Sequence, residues 1–301
     1  MVNLIIDTEM CTDCDDAGAI ILANRLMNMN EVKIIAVAQS TTTEDGIRCA
    51  GAINQTYGNP DIPLGKTTNK ICKTFNICGN SGMCHKFNKA AADAYLGEGN
   101  SVNYGAAIPV LRKALVDADG PVTFVTLGSL ANIYDLMISE PDEYSELTGM
   151  ELIHAKTDKL VAMAGCFDGR EGGNYVEWNV RLDIEAAREV ADKFPAPVHY
   201  VGFENGDTVI TGGVFKNLPE NHVSRVCYAV HGSANGRCSW DLIAVLYAIR
   251  GACDLWEVQD GIKVRFTEEG CTRVTEGEGS AIVHPNANPK LVGERIDALL
   301  V

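Results

Sequence analysis

Glycine scaffolds for phosphate are missing from this chain. No G-x-G-x-x-G follows the first apolar run and no G-x-x-x-x-G-K-[ST] occurs, so dinucleotide and P-loop chemistry lack the backbone they need. No G-x-S-x-G is present, which lowers the case for a serine hydrolase. No apolar run approaches the roughly 20 residues that span a bilayer, and no early basic segment leads into an apolar one, so we expect a soluble, cytoplasmic protein. Positive charge is scarce: 25 Lys and Arg against 40 Asp and Glu leave a formal charge of −15. Nucleic acid and anionic membrane surfaces would be repelled, whereas a small neutral or cationic ligand fits. Cysteine, by contrast, is plentiful at 11, but the number is odd and the chain of 301 residues is large enough not to need staples. Reduced thiols are the expectation.

What the chain has in excess is acid at its start. The apolar run Val2-Asn3-Leu4-Ile5-Ile6 delivers Asp7-Thr8-Glu9-Met10-Cys11-Thr12-Asp13-Cys14-Asp15-Asp16, followed by the helix-like Ala17-Gly18-Ala19-Ile20-Ile21-Leu22. A short β-type run that ends in clustered acids and turns into a helix puts those acids at the carboxyl edge of a sheet, where open α/β folds place ligands. One or two acids in a first turn would only complement the helix dipole. Asp7, Glu9, Asp13, Asp15 and Asp16 together repel one another, and hard oxygen donors of this kind suit a divalent cation.

Strand-like runs at Lys33 to Ala38, Val122 to Leu127, Lys159 to Ala164 and Val198 to Val201 alternate with helical periodicity at Ile20 to Leu26, Ala107 to Val116, Leu130 to Met137, Ile184 to Val190 and Leu242 to Arg250. Continuous apolar strands in this rhythm predict an α/β fold: a mainly parallel central sheet with helices on both faces. Residues 1–301 read as one domain, with a loop or lid around 68–103 that is rich in Gly, Asn, Lys and Cys. Within it, Cys72, Cys78, Cys84 and His85 suggest zinc only weakly, because adjacent Cys84 and His85 cannot easily reach one tetrahedral ion.

Three further segments carry chemistry at predicted strand ends or helix starts: Val125-Thr126-Leu127-Gly128-Ser129-Leu130-Ala131-Asn132, Gly173-Asn174-Tyr175-Val176-Glu177-Trp178-Asn179 and Cys238-Ser239-Trp240-Asp241-Leu242-Ile243-Ala244-Val245. With the acidic opening, these resemble the inosine-uridine-type nucleoside hydrolase family over nearly the whole chain. Gly202-Phe203-Glu204-Asn205-Gly206 with Thr211-Gly212 resembles a block from one branch of that family, as does the Ser-Trp-Asp form itself. The resemblance implies a Rossmann-like nucleoside hydrolase fold, one Ca2+ ion held by Glu9, Asp16, the Leu127 carbonyl and Asp241, and a ribose contacted by Asp15, Asn174, Glu177 and Asn179. It implies hydrolysis of ribonucleosides to free base and ribose in purine or pyrimidine salvage, by a homodimer or homotetramer.

Oxocarbenium-like charge on the sugar would be stabilised by nearby carboxylates, one of which would accept a proton from water. The family's aspartate is replaced here by Glu9, and Asp13 stands in a two-residue expansion. Both are candidates for the base, with Glu9 favoured. Where well-studied members place a histidine, this chain has Trp240, whose indole delivers no proton at neutral pH. Tyr228, His231 or His85, or stacking of the base on Trp240, would then assist the leaving group, whereas His154, His199 and His284 read as structural. Two alternatives stand beside this reading: hydrolysis of another ribosyl-like or sugar-like compound, and a degenerate nucleoside-binding protein.

Overall fold

The computed structural model describes residues 1–68 and 86–301. Its strands are β1 (Val2–Thr8), β2 (Val32–Gln39), β3 (Leu64–Lys66), β4 (Gly105–Ala106), β5 (Val122–Thr126), β6 (Thr157–Met163), β7 (Val198–Val201), β8 (Ile210–Thr211), β9 (Arg237–Cys238), β10 (Trp256–Phe266), β11 (Thr272–Glu276) and β12 (Ser280–Pro285). Ten of them form one sheet in the order β11-β10-β12-β7-β6-β5-β1-β2-β3-β4, and β8 pairs with β9 apart from it. Every pairing from β12 through β4 is parallel, whereas β10 runs antiparallel to both β12 and β11. The expected α/β architecture is therefore present.

Strand β1 shows why both faces must be covered. Leu4 and Ile6 pack into one apolar cluster and Ile5 into the other, because successive side chains leave a strand on opposite faces. The same division separates Val125 from Phe124, Val161 from Leu160 and Val201 from Tyr200. Helices α1 (Asp15–Asn28), α2 (Glu44–Thr56), α3 (Lys86–Leu96), α4 (Ala107–Asp117), α5 (Ala131–Met137), α6 (Gly149–Lys156), α7 (Trp178–Leu182), α8 (Ile184–Lys193), α9 (Val223–His231), α10 (Trp240–Arg250) and α11 (Pro289–Leu300) supply the cover, with shorter helical turns between them.

From β1 the chain winds outward through β2, β3 and β4, then returns to β5 and winds the other way through β6 and β7. The carboxyl ends of β1 and β5 therefore flank a topological switch point, where two connections diverge and leave a crevice.

Two expectations need correction. The segment expected to be irregular from 68 to 103 contains α3, which packs against α2 and α9; Cys72, Cys78, Cys84 and His85 lie outside the described residues. Cys11 is disulfide-bonded rather than reduced, while the other seven described cysteines are free. Among the described residues no helix is long and apolar enough to cross a membrane.

Candidate active site

The crevice at the switch point is a cavity of about 310 Å³. Glu9, Asp13, Asp15 and Asp16 enter from the β1–α1 connection, Leu127 from the end of β5, Glu177 and Asn179 from the start of α7, and Trp240 and Asp241 from the start of α10. Glycine makes this convergence possible at one close approach, because a Cβ on Gly128 would sit 2.6 Å from the Glu9 Cβ.

The acidic opening divides. Asp7 turns into the sheet, where Thr126 Oγ1 and Asn132 Nδ2 each donate to it at 2.8 Å, and burial pushes its pKa up to about 7 despite these bonds. The other four acids face the cavity. Asp15 and Asp16 occupy the first turn of α1, and Asp241 the first turn of α10, so two helix N-termini offset part of the cost of burying them. Carboxylate oxygens of the three lie within 4.8 Å of one another. Asp15 Oδ2 accepts from the Asp241 backbone N–H at 3.3 Å, tying the two helix starts together.

Asp16 Oδ1 accepts from the Thr8 hydroxyl and from the Glu9 and Met10 backbone N–H groups at 3.1 and 3.2 Å. Burial nevertheless pushes Asp16 up to about 7, and burial with neighbouring carboxylates pushes Asp15 and Asp241 well above the usual range. Glu9 is raised in the same way, by burial first and then by Asp16, Glu177 and Asp15. Its Oε1 accepts from Thr12 Oγ1 at 3.3 Å, but its buried Oε2 has no hydrogen-bond partner among the described residues. Crowded carboxylates and an orphaned oxygen are a donor set suited to a hard divalent cation, so the residues fit the metal that the sequence led us to expect.

Glu177 is fastened as the N-cap of α7. Its Oε1 accepts from the Asn179 N–H at 2.9 Å, and its Oε2 from the Gly165 and Val180 N–H groups at 3.2 and 3.3 Å. Burial still raises it to about 7. Asn179 Nδ2 donates to the Leu127 carbonyl at 3.2 Å and to the Met163 carbonyl at 2.9 Å, clamping the ends of β5 and β6 together. Aromatic side chains line the same cavity. The Trp240 indole N–H donates to the Phe203 carbonyl at 2.7 Å, the two rings lie 5.3 Å apart, and Trp178 completes the lining at 41% exposure. Gly206 is required beneath Trp240, since a Cβ there would come within 2.6 Å of the Trp240 Cα.

Not every expected residue arrives. Asn174 is exposed outside the cavity, with its Oδ1 3.4 Å from Arg273 Nη2. Tyr228 is buried in the core against Phe215, its hydroxyl unpartnered among the described residues, and does not line the cavity. His231 stands behind Asp13, with Nε2 3.6 Å from Asp13 Oδ1 and Nδ1 against Ser233 Oγ. His85 lies outside the described residues. Asp13 itself is gripped by Arg237 at 2.9 Å from Nε and 2.5 Å from Nη2. His154, His199 and His284 hydrogen-bond Pro195, Tyr247 and Gln259 away from the cavity.

Four lining residues escaped the sequence reading: Thr12, Met163, Phe203 and Arg237. Phe203 lies two residues beyond the end of β7 at the carboxyl edge, and Arg237 precedes Trp240 by three residues in an acid-rich chain. Those placements were the available signals.

A model of the family described as inosine-uridine preferring nucleoside hydrolase matches residues 4–294. The chain belongs to that family. Among nucleoside hydrolases it is similar to the pyrimidine-specific ribonucleoside hydrolase RihA of Salmonella agona (strain SL483), with 26% identity over 201 residues, 64% of this chain and 59% of that protein. The matched segment thus spans under two thirds of that relative. In fold, this nucleoside hydrolase family member is similar to the inosine-uridine preferring nucleoside hydrolase of Bacillus anthracis, with a TM-score of 0.69 and 17% identity, covering 100% of this chain and 98% of that one. It is also similar to the purine-preferring ribonucleoside hydrolase of Gardnerella vaginalis, with a TM-score of 0.70 and 18% identity, covering 99% of each chain.

Proposed function

We propose that the protein hydrolyses the N-glycosidic bond of ribonucleosides to free base and ribose, and that it depends on one calcium ion. The observation that carries this reading is the meeting of Asp15, Asp16, Asp241 and the unpartnered Glu9 Oε2 in one cavity that Trp178, Phe203 and Trp240 also line. Glu9, Asp16, Asp241 and the Leu127 carbonyl would hold the ion, which when bound supplies a Lewis acid that neutralises the cluster and favours a diol and an ionised water.

The chain's own residues supply the rest. Asp15 accepts a hydrogen bond from a ribose hydroxyl, while Glu177 and Asn179 close the wall around the sugar. Glu9, with one carboxylate oxygen left unpartnered among the described residues, accepts the proton of the attacking water. Positive charge developing on the sugar is stabilised by these carboxylates. Trp240 and Phe203, packed on each other, supply the apolar surface beside which the base would lie. We assign the base role to Glu9 over Asp13 because Arg237 already occupies Asp13.

The test is reducing-sugar release from purine and pyrimidine ribonucleosides, with calcium and with a chelator. Release that the chelator abolishes is expected, and silence across the panel sinks the proposal. One observation favours a second reading, a nucleoside-binding protein without turnover: the Trp240 N–H is committed to a backbone carbonyl, so the indole has no free hydrogen to offer a departing base. That reading requires tight nucleoside binding with no ribose formed over hours.

A further inference from the structure

The cavity is unsuited to a departing base in one respect. When the C1′–N bond breaks, its electron pair goes to the base, and a base leaving unprotonated carries negative charge into a space lined by Glu9, Asp13, Asp15, Asp16, Glu177 and Asp241. Among the described residues that line the cavity, Arg237 is the sole cation. Strand β9 sets its backbone, pairing Arg237 with Thr211 immediately before α10. Asp13 accepts from its Nε and Nη2, whereas Nη1 makes no hydrogen bond among the described residues. The guanidinium carbon lies 5.5 Å from the centre of the Trp240 ring, so the fork sits beside the aromatic surface suited to a base.

We propose that Arg237, oriented by Asp13, stabilises the negative charge on the leaving base by hydrogen bonding rather than by giving up a proton. This rests on the nucleoside hydrolase reading above and names its leaving-group device. The guanidinium stays charged throughout, and the hydrogen bonds it donates to Asp13 hold it still more firmly so. Water supplies hydroxide to C1′ and a proton to Glu9, Glu9 afterwards releases that proton to solvent, and the released base anion takes one from solvent, so the sum is nucleoside plus water to ribose plus base. Because no proton is transferred to the base in the bond-breaking step, the enzyme favours nucleosides whose bases form stable anions. Asp13 is a positioning residue, acting on the base only through Arg237.

The experiment compares kcat/KM for uridine, 5-fluorouridine and p-nitrophenyl riboside, whose leaving anions are progressively easier to form, in the calcium-loaded wild type, Arg237→Gln, Arg237→Lys and Asp13→Asn. We expect Arg237→Gln to lose about 100-fold on uridine, the scale of removing one charge-stabilising donor, less on 5-fluorouridine, and under about fivefold on the aryl riboside, which needs little help. Arg237→Lys should recover part of the uridine rate, and Asp13→Asn should show the same graded pattern more weakly. Equal losses on all three substrates overturn the inference and leave the hydrolase reading intact. Wild-type cleavage of the aryl riboside alone also overturns it, since Arg237 would then give natural bases no help. Wild-type silence on every substrate overturns the hydrolase reading itself.

Discussion

At the residue scale, the site is a set of carboxylates whose burial would be prohibitive unless something cationic joined them. Glu9 is the sharpest case, since one oxygen touches Thr12 and the other touches nothing described. Glu9→Gln should lower kcat by about 10²–10⁴-fold, the usual worth of a positioned base, while the fold survives because an amide is easier to bury than a carboxylate. Steady-state rates with circular dichroism check this, and near-wild-type turnover would return Asp13 to consideration. Asp241→Asn should weaken calcium binding in titration calorimetry and abolish ribose release, yet raise the melting temperature of the cation-free protein by removing one of the repelling charges. A cation-free protein that melts lower than wild type would show that Asp241 is chiefly a structural cap.

At the element scale, the site is built where α1 and α10 begin and where β1, β5, β6 and β7 end. Gly206 lets the turn after β7 pass directly under Trp240. Gly206→Ala should destabilise by about 1–3 kcal/mol, the cost of overpacking, and should also depress turnover by displacing the indole. The control is Thr148→Ala, which removes the capping box at the start of α6, where Thr148 and Glu151 bond each other's backbone. It should cost about 1 kcal/mol with no change in kcat/KM, since α6 does not line the cavity. Denaturant unfolding of the two variants beside their rates separates the cases.

At the scale of the whole molecule, stability should couple to pH through the buried acids. Glu177 and Asp7 are both raised to about 7 by burial, above the roughly 4 expected in an unfolded chain. A carboxyl group raised in the fold contributes stability that is full below its unfolded pKa and lost as pH rises through the folded one. The chelated protein should therefore melt several degrees higher at pH 5 than at pH 8. Calcium should narrow or reverse that difference, because it binds the ionised cluster and stabilises by mass action. Thermal unfolding at the two pH values, with calcium and with chelator, reads both effects. A chelated protein equally stable at both would mean that these carboxylates stay ionised without a cation.

Periodicity made the parallel core legible, because strands buried on both faces must be continuously apolar and their crossovers must be helical. The acidic opening, the Glu177 segment and the helix start at Asp241 were legible for a similar local reason: five acids in ten residues cannot be only a helix cap. The antiparallel β10 and β11 escaped notice because they are half-exposed at the sheet edge and lack an apolar run. Tertiary structure alone decided which chemistry-bearing residues meet. It turned Asp7 into the sheet, left Asn174 outside the cavity, buried Tyr228 in the core, and brought Phe203 and Arg237 to the cavity from connections far along the chain. Spacing along a sequence sets which face of an element a side chain takes, but only the order of strands in the sheet sets which strand ends share an edge, and that order depends on packing across the whole core.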